Sequence, residues 1–427
     1  MELKRVVVTG LGTVSPIGND VQTAWGNALK GVSGAGPITH FDASKFKTQF
    51  ACEVKDFDPS QYMDRKEIRK CDRYSLLAIA ASEEAIKDSG LDFEKEDRDR
   101  IGVVFSSGIG GIKSFEEEVG YYYTHQDLGP KFNPFFIPKM IADIASGHIS
   151  MRYGLRGPNF ATVSACASST HSAISAFDII RLGKANVIIT GGAEASITLS
   201  GVGGFNALTA LSTRNDSPKT ASRPFSKSRD GFVIGEGSAC LIFEELEHAL
   251  ARGAKIYAEI VGGGMSGDAY HLTASHPEGL GAKIAMRSAL EDANMQPEEV
   301  DYINVHGTST PVGDPSEVKA IKDVFGEQAY KLNISSTKSM TGHLLGAAGA
   351  IEALFCVLSV QNDVLSVQND VVLPTINFTE GDEDPEIDYT MNYTFNKAEK
   401  RTVNAALSNT FGFGGHNACV IVKKYSK

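Results

Sequence analysis

The sequence is short of several features that would each have pointed to a class of function. It holds a single tryptophan, Trp25, in 427 residues. No apolar run approaches the roughly 20 residues that a membrane-crossing helix needs, so no membrane role is expected. The six cysteines (Cys52, Cys71, Cys166, Cys240, Cys356 and Cys419) are scattered, with no CxxC pair and no zinc-ligand spacing. Free thiols in a reducing cytoplasm are the expectation. Positive charge is in deficit, 41 Lys and Arg against 52 Asp and Glu for a net charge of −11, which argues against a nucleic-acid partner. The opening MELKRVVVTGLG has too short an apolar part for a signal peptide and reads as a strand running into a glycine turn. Its Gly10-x-Gly12-x-x-Ser15 spacing lacks the third glycine of a dinucleotide fingerprint.

What is present is a glycine-rich enzyme-like composition, with 43 glycines and 42% hydrophobic residues. Strand-like and helix-like runs alternate, which predicts an α/β protein with mostly parallel sheet covered on both faces. Helices are expected over Asp20–Lys30 and Glu67–Ser89, and buried strands over Arg100–Ser107 and Asn159–Ser164. Residues 116–140 read as irregular and aromatic. From Lys255 the alternation begins again, suggesting an internal duplication with halves at 1–254 and 255–427 and catalytic groups where they meet. VLSVQND occurs at 357–363 and again at 364–370, as a helix extension, a surface loop or an error in the record. Its place is expected to be away from the chemistry.

Three stretches carry chemistry. In Ala161–Thr170, ATVSACASST, Cys166 stands between a strand-like run and a helix-like run, among small neighbours. The N–H groups of a helix start there would lower its pKa, well below about 7 in favourable cases. A small buried apolar cysteine is the other reading. In YINVHGTSTPVGD, His306 ends a strand and enters a Gly/Thr/Ser loop. In SSTKSMTGHLLGAAGAIE, Lys338 and His343 precede a small-residue helix that carries Glu352. Each histidine taken singly reads as hydrogen-bonded scaffolding. Two at strand ends, where α/β sheets place their sites, read as a nucleophile with two imidazoles.

With SNTFGFGGHN added, these motifs resemble those of the β-ketoacyl-acyl carrier protein synthases of the thiolase superfamily, nearest their elongating type II members. The likeness runs from VVVTGLGTVSPIG to the C-terminus. It implies a thiolase-like, duplicated, five-layered αβαβα fold with two mixed, mostly parallel sheets, and a homodimer with NPFFIP as a contact. It implies decarboxylative condensation of an acyl chain, held on Cys166, with a malonyl carrier protein. His306 and His343 would hydrogen-bond the enolate, so the chemistry calls for no cofactor or metal. Lys338 would act electrostatically or structurally, with Glu352 in support.

In the family the first phenylalanine of the glycine-rich turn, here Phe411, gates the cavity and joins Cys166 in the oxyanion hole; an ordinary hairpin is the alternative. Thr308 and Thr310 match pantetheine-binding positions, and Ile109 and Phe205 match acyl-pocket positions that core packing would explain nearly as well. Asn304, Glu352, Ser408 and Asn409 match positions where some relatives hold a structural monovalent cation. DRKEIRKCDRY at 64–74 sets Lys66, Arg69 and Lys70 on one flank of a helix-like stretch. It is either a solvated face or, as the resemblance implies, the docking patch for acidic acyl carrier protein. A second basic position of some relatives is Thr209 here. A type I elongating synthase and a polyketide-type ketosynthase share the catalytic set.

Overall fold

Gly10 and Gly12 do not form a turn. They lie inside strand β1 (Val6–Val14), buried along its whole length, and let it run against helix α1 (Arg73–Ser89). A Cβ on Gly10 would lie 2.3 Å from the carbonyl oxygen of Ala85, and one on Gly12 would lie 2.0 Å from that of Ala81. The computed structural model describes residues 3–360 and 370–426.

Along the chain the main sheet adds β2 (Ile101–Ser106), β3 (Asn159–Phe160), β4 (Val187–Glu194), β5 (Gly237–Glu245) and β6 (Ala258–Gly267). It continues with β7 (Tyr302–Asn304), β8 (Asn333–Ser335), β9 (Ala405–Gly412) and β10 (His416–Lys423). The spatial order is β8-β7-β9-β10-β6-β1-β5-β4-β2-β3. Outward from the middle, the first half runs 1-5-4-2-3 and the second 6-10-9-7-8, the same path twice. Directions repeat as well: the two inner pairs of each half are antiparallel and the two outer pairs parallel. The packing device repeats too. Gly262 and Gly264 of β6 let helix α3 (Leu280–Asp292) approach, where added Cβ atoms would lie 2.4 and 1.9 Å from the carbonyl oxygens of Ala289 and Ala285. The labels α2 (Ser168–Arg181), α4 (Gly313–Phe325) and α5 (Ala348–Val360) complete the helices that matter below.

Two details of the expected sheet are corrected. The halves are not separate sheets, because β1 pairs antiparallel with β6, Val6 opposite Ile260 and Val8 opposite Ala258. Nor is either half mostly parallel. β9 and β10 are joined by a short turn, which can only connect antiparallel neighbours. The layering is as expected. Helix α1 covers the first half, α3 the second, and α2 and α5 lie between, touching strands of both. Every residue of α5 is buried, and its small first turn is what permits this: Gly349 has no room for a Cβ against Thr170 Oγ1, 2.0 Å away.

Three local expectations also change. The strand at Asn159–Ser164 is two residues, exposed at the sheet edge. Residues 116–140 include most of a regular helix, Ile112–Thr124. The helix expected over Glu67–Ser89 is broken. Asp64 and Glu67 form a capping box on a one-turn helix, Arg65–Ile68, and Asp72 caps α1 afresh. The repeat begins in α5 at Val357–Val360, and 361–369, with the expectation about its place, lie outside the described residues.

Candidate active site

After β3 the chain turns back through Ala165, a non-glycine residue in the left-handed region at φ 50°, and presents Cys166 just ahead of α2. His343 arrives from the second half. Gly342 before it, at φ 68°, has no room for a Cβ beside Cys52 Sγ, 2.8 Å away. The backbone N–H of His343 donates to Val233 O at 2.7 Å and its carbonyl accepts from Gly235 N–H at 2.9 Å. Held in this way, its Nε2 lies 3.0 Å from Cys166 Sγ. His306 follows β7, and Glu317 on α4 fixes it by accepting its backbone N–H at 2.9 Å and that of Gly307 at 2.8 Å. The two imidazoles meet edge to face, centroids 5.3 Å apart. Duplication therefore brings a thiol from one half against two imidazoles from the other.

Beneath them Lys338 forms a buried ion pair with Glu352. Burial and the Lys338 charge hold His343 well below the ordinary histidine range, and His343 adds to the same effects on His306. Both rings are neutral near pH 7. Neither Nδ1 has a hydrogen-bond partner. An unpaired buried N–H is the rarer and costlier orphan, so each proton belongs on Nε2, facing the cavity. The expected low thiol pKa is corrected: burial pushes Cys166 up to about 12, against Lys338 and the backbone N–H groups of Phe413 and of Cys166 itself. The helix start is there, but the desolvation of a largely buried thiol outweighs it.

A cavity of about 470 Å³ opens from the thiol and both imidazoles. Ile109 and Phe205 line it, as do Thr308 and Thr310, whose hydroxyl oxygens lie 3.1 Å apart. Phe411 also lines it, with its ring 5.6 Å from His306. The role expected for the Phe411 backbone is displaced, because Phe411 sits within β9, paired opposite Asn417. The N–H directed at Cys166 belongs to Phe413, in the turn beyond the strand. Lys66, Arg69 and Lys70 are exposed and lie outside the cavity lining. Arg73, of the same basic stretch, turns inward and grips Glu236 at 2.8 and 2.7 Å.

A family model for the beta-ketoacyl synthase N-terminal domain matches residues 3–249, and one for the C-terminal domain matches 257–379. The chain belongs to the β-ketoacyl synthase family. This synthase is 50% identical to a 3-oxoacyl-[acyl-carrier-protein] synthase 2 of Staphylococcus aureus (strain COL), over 99% of each chain. It is 49% identical to one of Coxiella burnetii, again over 99% of each. Among solved structures, a beta-ketoacyl synthase from Burkholderia phymatum STM815 superposes with a TM-score of 0.89 at 34% identity, over 99% of this chain and 100% of that one. The ishigamide ketosynthase/chain length factor gives 0.90 at 33%, with the same coverage.

Sequence reasoning passed over Phe413 and Glu317. Glu317 was within reach, since it precedes Ile321 by one helical turn and so falls on the buried face of α4. Elsewhere in the synthase, Glu352 Oε2, Ser408 Oγ and Asn409 Oδ1 are buried without a partner, and Ser408 pairs in register with Asn304.

Proposed function

We propose that the enzyme elongates fatty acyl chains by decarboxylative Claisen condensation, producing 3-oxoacyl-acyl carrier protein and CO2. The observation that carries the reading is the 3.0 Å contact between Cys166 and His343 beside a second neutral imidazole, all open to one cavity. In the first half-reaction Cys166 Sγ attacks the acyl thioester, the carrier thiol leaves, and the cysteine proton ends on that thiol. In the second, malonyl thioester loses CO2, and Nε2–H groups of His306 and His343 receive the enolate oxygen. The enolate carbon attacks the Cys166 thioester, with the N–H groups of Cys166 and Phe413 facing the developing oxyanion. The cysteine leaves and is reprotonated from solvent.

Thr308 and Thr310 offer hydroxyls to the pantetheine arm, and Ile109 and Phe205 form walls for the acyl chain. Lys66, Arg69 and Lys70 would receive the acidic carrier protein, and Phe411 would gate the cavity beside His306. Division into halves 1–254 and 255–427 gives the nucleophile to one and the imidazoles to the other. The exposed edge strand β3, with exposed Met151 and Val163 beside it, suits a homodimer. Six free cysteines suit a cytoplasmic location. Identity of 50% to a 3-oxoacyl-[acyl-carrier-protein] synthase 2, against 32% to the ketosynthase of a type II PKS complex, favours the fatty acid reading. The test mixes the protein with medium-chain acyl carrier protein and malonyl carrier protein, beside Cys166→Ala. CO2 release with a product two carbons longer, and loss of that product in the variant, is the expected result. No elongation with carrier-linked or CoA-linked malonyl donors would overturn it.

A further inference from the structure

Glu194 is a fully buried carboxylate at the end of β4 that the condensation steps do not use. Its hydrogen-bond partners are all neutral. Oε2 accepts the backbone N–H of Gly108 at 2.8 Å and of Gly346 at 3.1 Å. Oε1 accepts the hydroxyl of Ser107 at 3.0 Å, the hydroxyl of Ser196 at 3.2 Å and, more weakly, the N–H of Ile109 at 3.4 Å. Backbone N–H groups can only donate, so three of the five partners require the acid as an acceptor. Burial raises its pKa above the ordinary carboxylate value, and the donors from Gly108, Ser107, Gly346 and Ser196 offset only part of that rise.

The partners come from segments that each carry part of the site. Ser107–Ile109 is the loop whose Ile109 side chain lines the cavity. Gly346 belongs to the turn after His343, next to Leu345, which also lines the cavity. The packing leaves no slack. A Cβ on Gly346 would stand 2.1 Å from Gly108 N and 2.8 Å from Glu194 Oε2. A Cβ on Gly108 would stand 2.9 Å from Oε2 and 3.2 Å from the carbonyl oxygen of Ala165, the residue before the nucleophile.

We infer that Glu194 is a positioning residue that ties the acyl-pocket wall at Ile109 to the turn behind His343, so that acyl-chain preference and imidazole placement are set together. A longer acyl chain pressing on Ile109 strains a loop that Glu194 joins to the turn after His343. The Glu194 charge also opposes ionisation of Cys166, whose other charged or titratable neighbours are Lys338, His343 and His306. This gives the carboxylate an electrostatic signature that a packing residue would lack.

The inference rests on the reading of the cavity as an acyl pocket, and the test separates the two. Full-length wild type, Glu194→Gln, Glu194→Asp and Ser107→Ala are each given a short and a long acyl carrier protein with malonyl carrier protein. Gln keeps the shape but loses the charge and turns one acceptor into a donor facing N–H groups. Asp keeps the charge but is one methylene short. Ser107→Ala removes the hydroxyl that binds Glu194 and accepts Gly110 N–H at 3.0 Å. The expected result is a change of about tenfold in the long-to-short rate ratio in all three, the scale of a displaced positioning contact. In addition, the pH midpoint for Cys166 alkylation by iodoacetamide should fall in Glu194→Gln and stay put in Glu194→Asp. An unchanged ratio in variants that fold, with wild type condensing normally, overturns the role of Glu194 alone. If neither Glu194 variant folds, the Ser107→Ala ratio decides in the same way. A wild type that condenses neither substrate overturns the acyl-pocket reading and this inference with it.

Discussion

Lys338 governs the charge balance of the site from beneath it. Its ammonium is paired with Glu352, yet it still depresses both imidazoles and opposes the burial of the thiol. Because both histidines are held below their ordinary 6.5, they stay neutral as pH falls through that value, and malonyl decarboxylation should stay level there. The unfolded chain takes up those protons first, so the folded state loses stability as pH falls below 6.5. Glu352 acts in the opposite sense. Its carboxyl is raised from 4.5 to about 7, and the stability this costs grows as pH rises across that window. Lys338→Met should move the acid limb of CO2 release to higher pH. It should also cost about 3–5 kcal/mol of stability, by leaving Glu352 buried without its partner. Rate profiles between about pH 5 and 8, with denaturant melts, check both, and a wild-type limb centred near 6.5 would contradict neutral imidazoles.

At the scale of elements, the break between the Arg65–Ile68 turn and α1 decides which cations face outward. The sequence reads as one basic helical stretch, because its charges recur at helical spacing. The capping box and the second cap at Asp72 split it, and Arg73 turns in to Glu236 while Lys66 and Arg69 stay in solvent. Lys66→Glu with Arg69→Glu should raise KM for carrier-linked substrates about tenfold at low salt, with the difference shrinking as ionic strength rises. The kcat at saturation should hold. Steady-state kinetics at two salt concentrations test this, and an unchanged KM would remove the patch from the docking surface. Gly10 and Gly12 teach the complementary lesson. In sequence they read as a glycine turn one glycine short of a dinucleotide fingerprint, but in the fold they are the seam where β1 meets the α1 backbone.

The whole molecule is one strand path run twice and joined along β1 and β6. That join puts α2 and α5 back to back, with the amide N–H of Ala350 on Ser169 Oγ at 3.0 Å. At the far edge, β3 ends the sheet with Asn159 and Phe160 exposed, beside Met151 and Val163 at 68% and 60% exposure. Such an edge suits pairing with a second copy. Met151→Glu with Val163→Glu should convert a two-chain species into a single chain in analytical ultracentrifugation. A wild type that sediments as one chain would remove the dimer.

The sequence by itself determined the α/β class, the duplication and the trio Cys166, His306 and His343, because each is written locally: alternating runs, a restart at Lys255, and reactive residues in small-residue turns. The expected strand-end placement holds for His306 alone, since a one-turn helix, Lys338–Thr341, precedes His343 and the strand before Cys166 ends at Phe160. The tertiary structure decided what depends on contacts between distant segments. It joined the sheets through Val6–Val8 and raised the Cys166 thiol by burial where a helix start alone predicts the reverse. It set the Phe413 amide, rather than that of Phe411, on the thiol, because pairing in β9 had already placed the latter opposite Asn417. Motif spacing fixes which residues are neighbours along the chain. Burial, hydrogen-bond pairing and electrostatic coupling belong to neighbours in space, and between the halves of this molecule those neighbours are far apart in sequence.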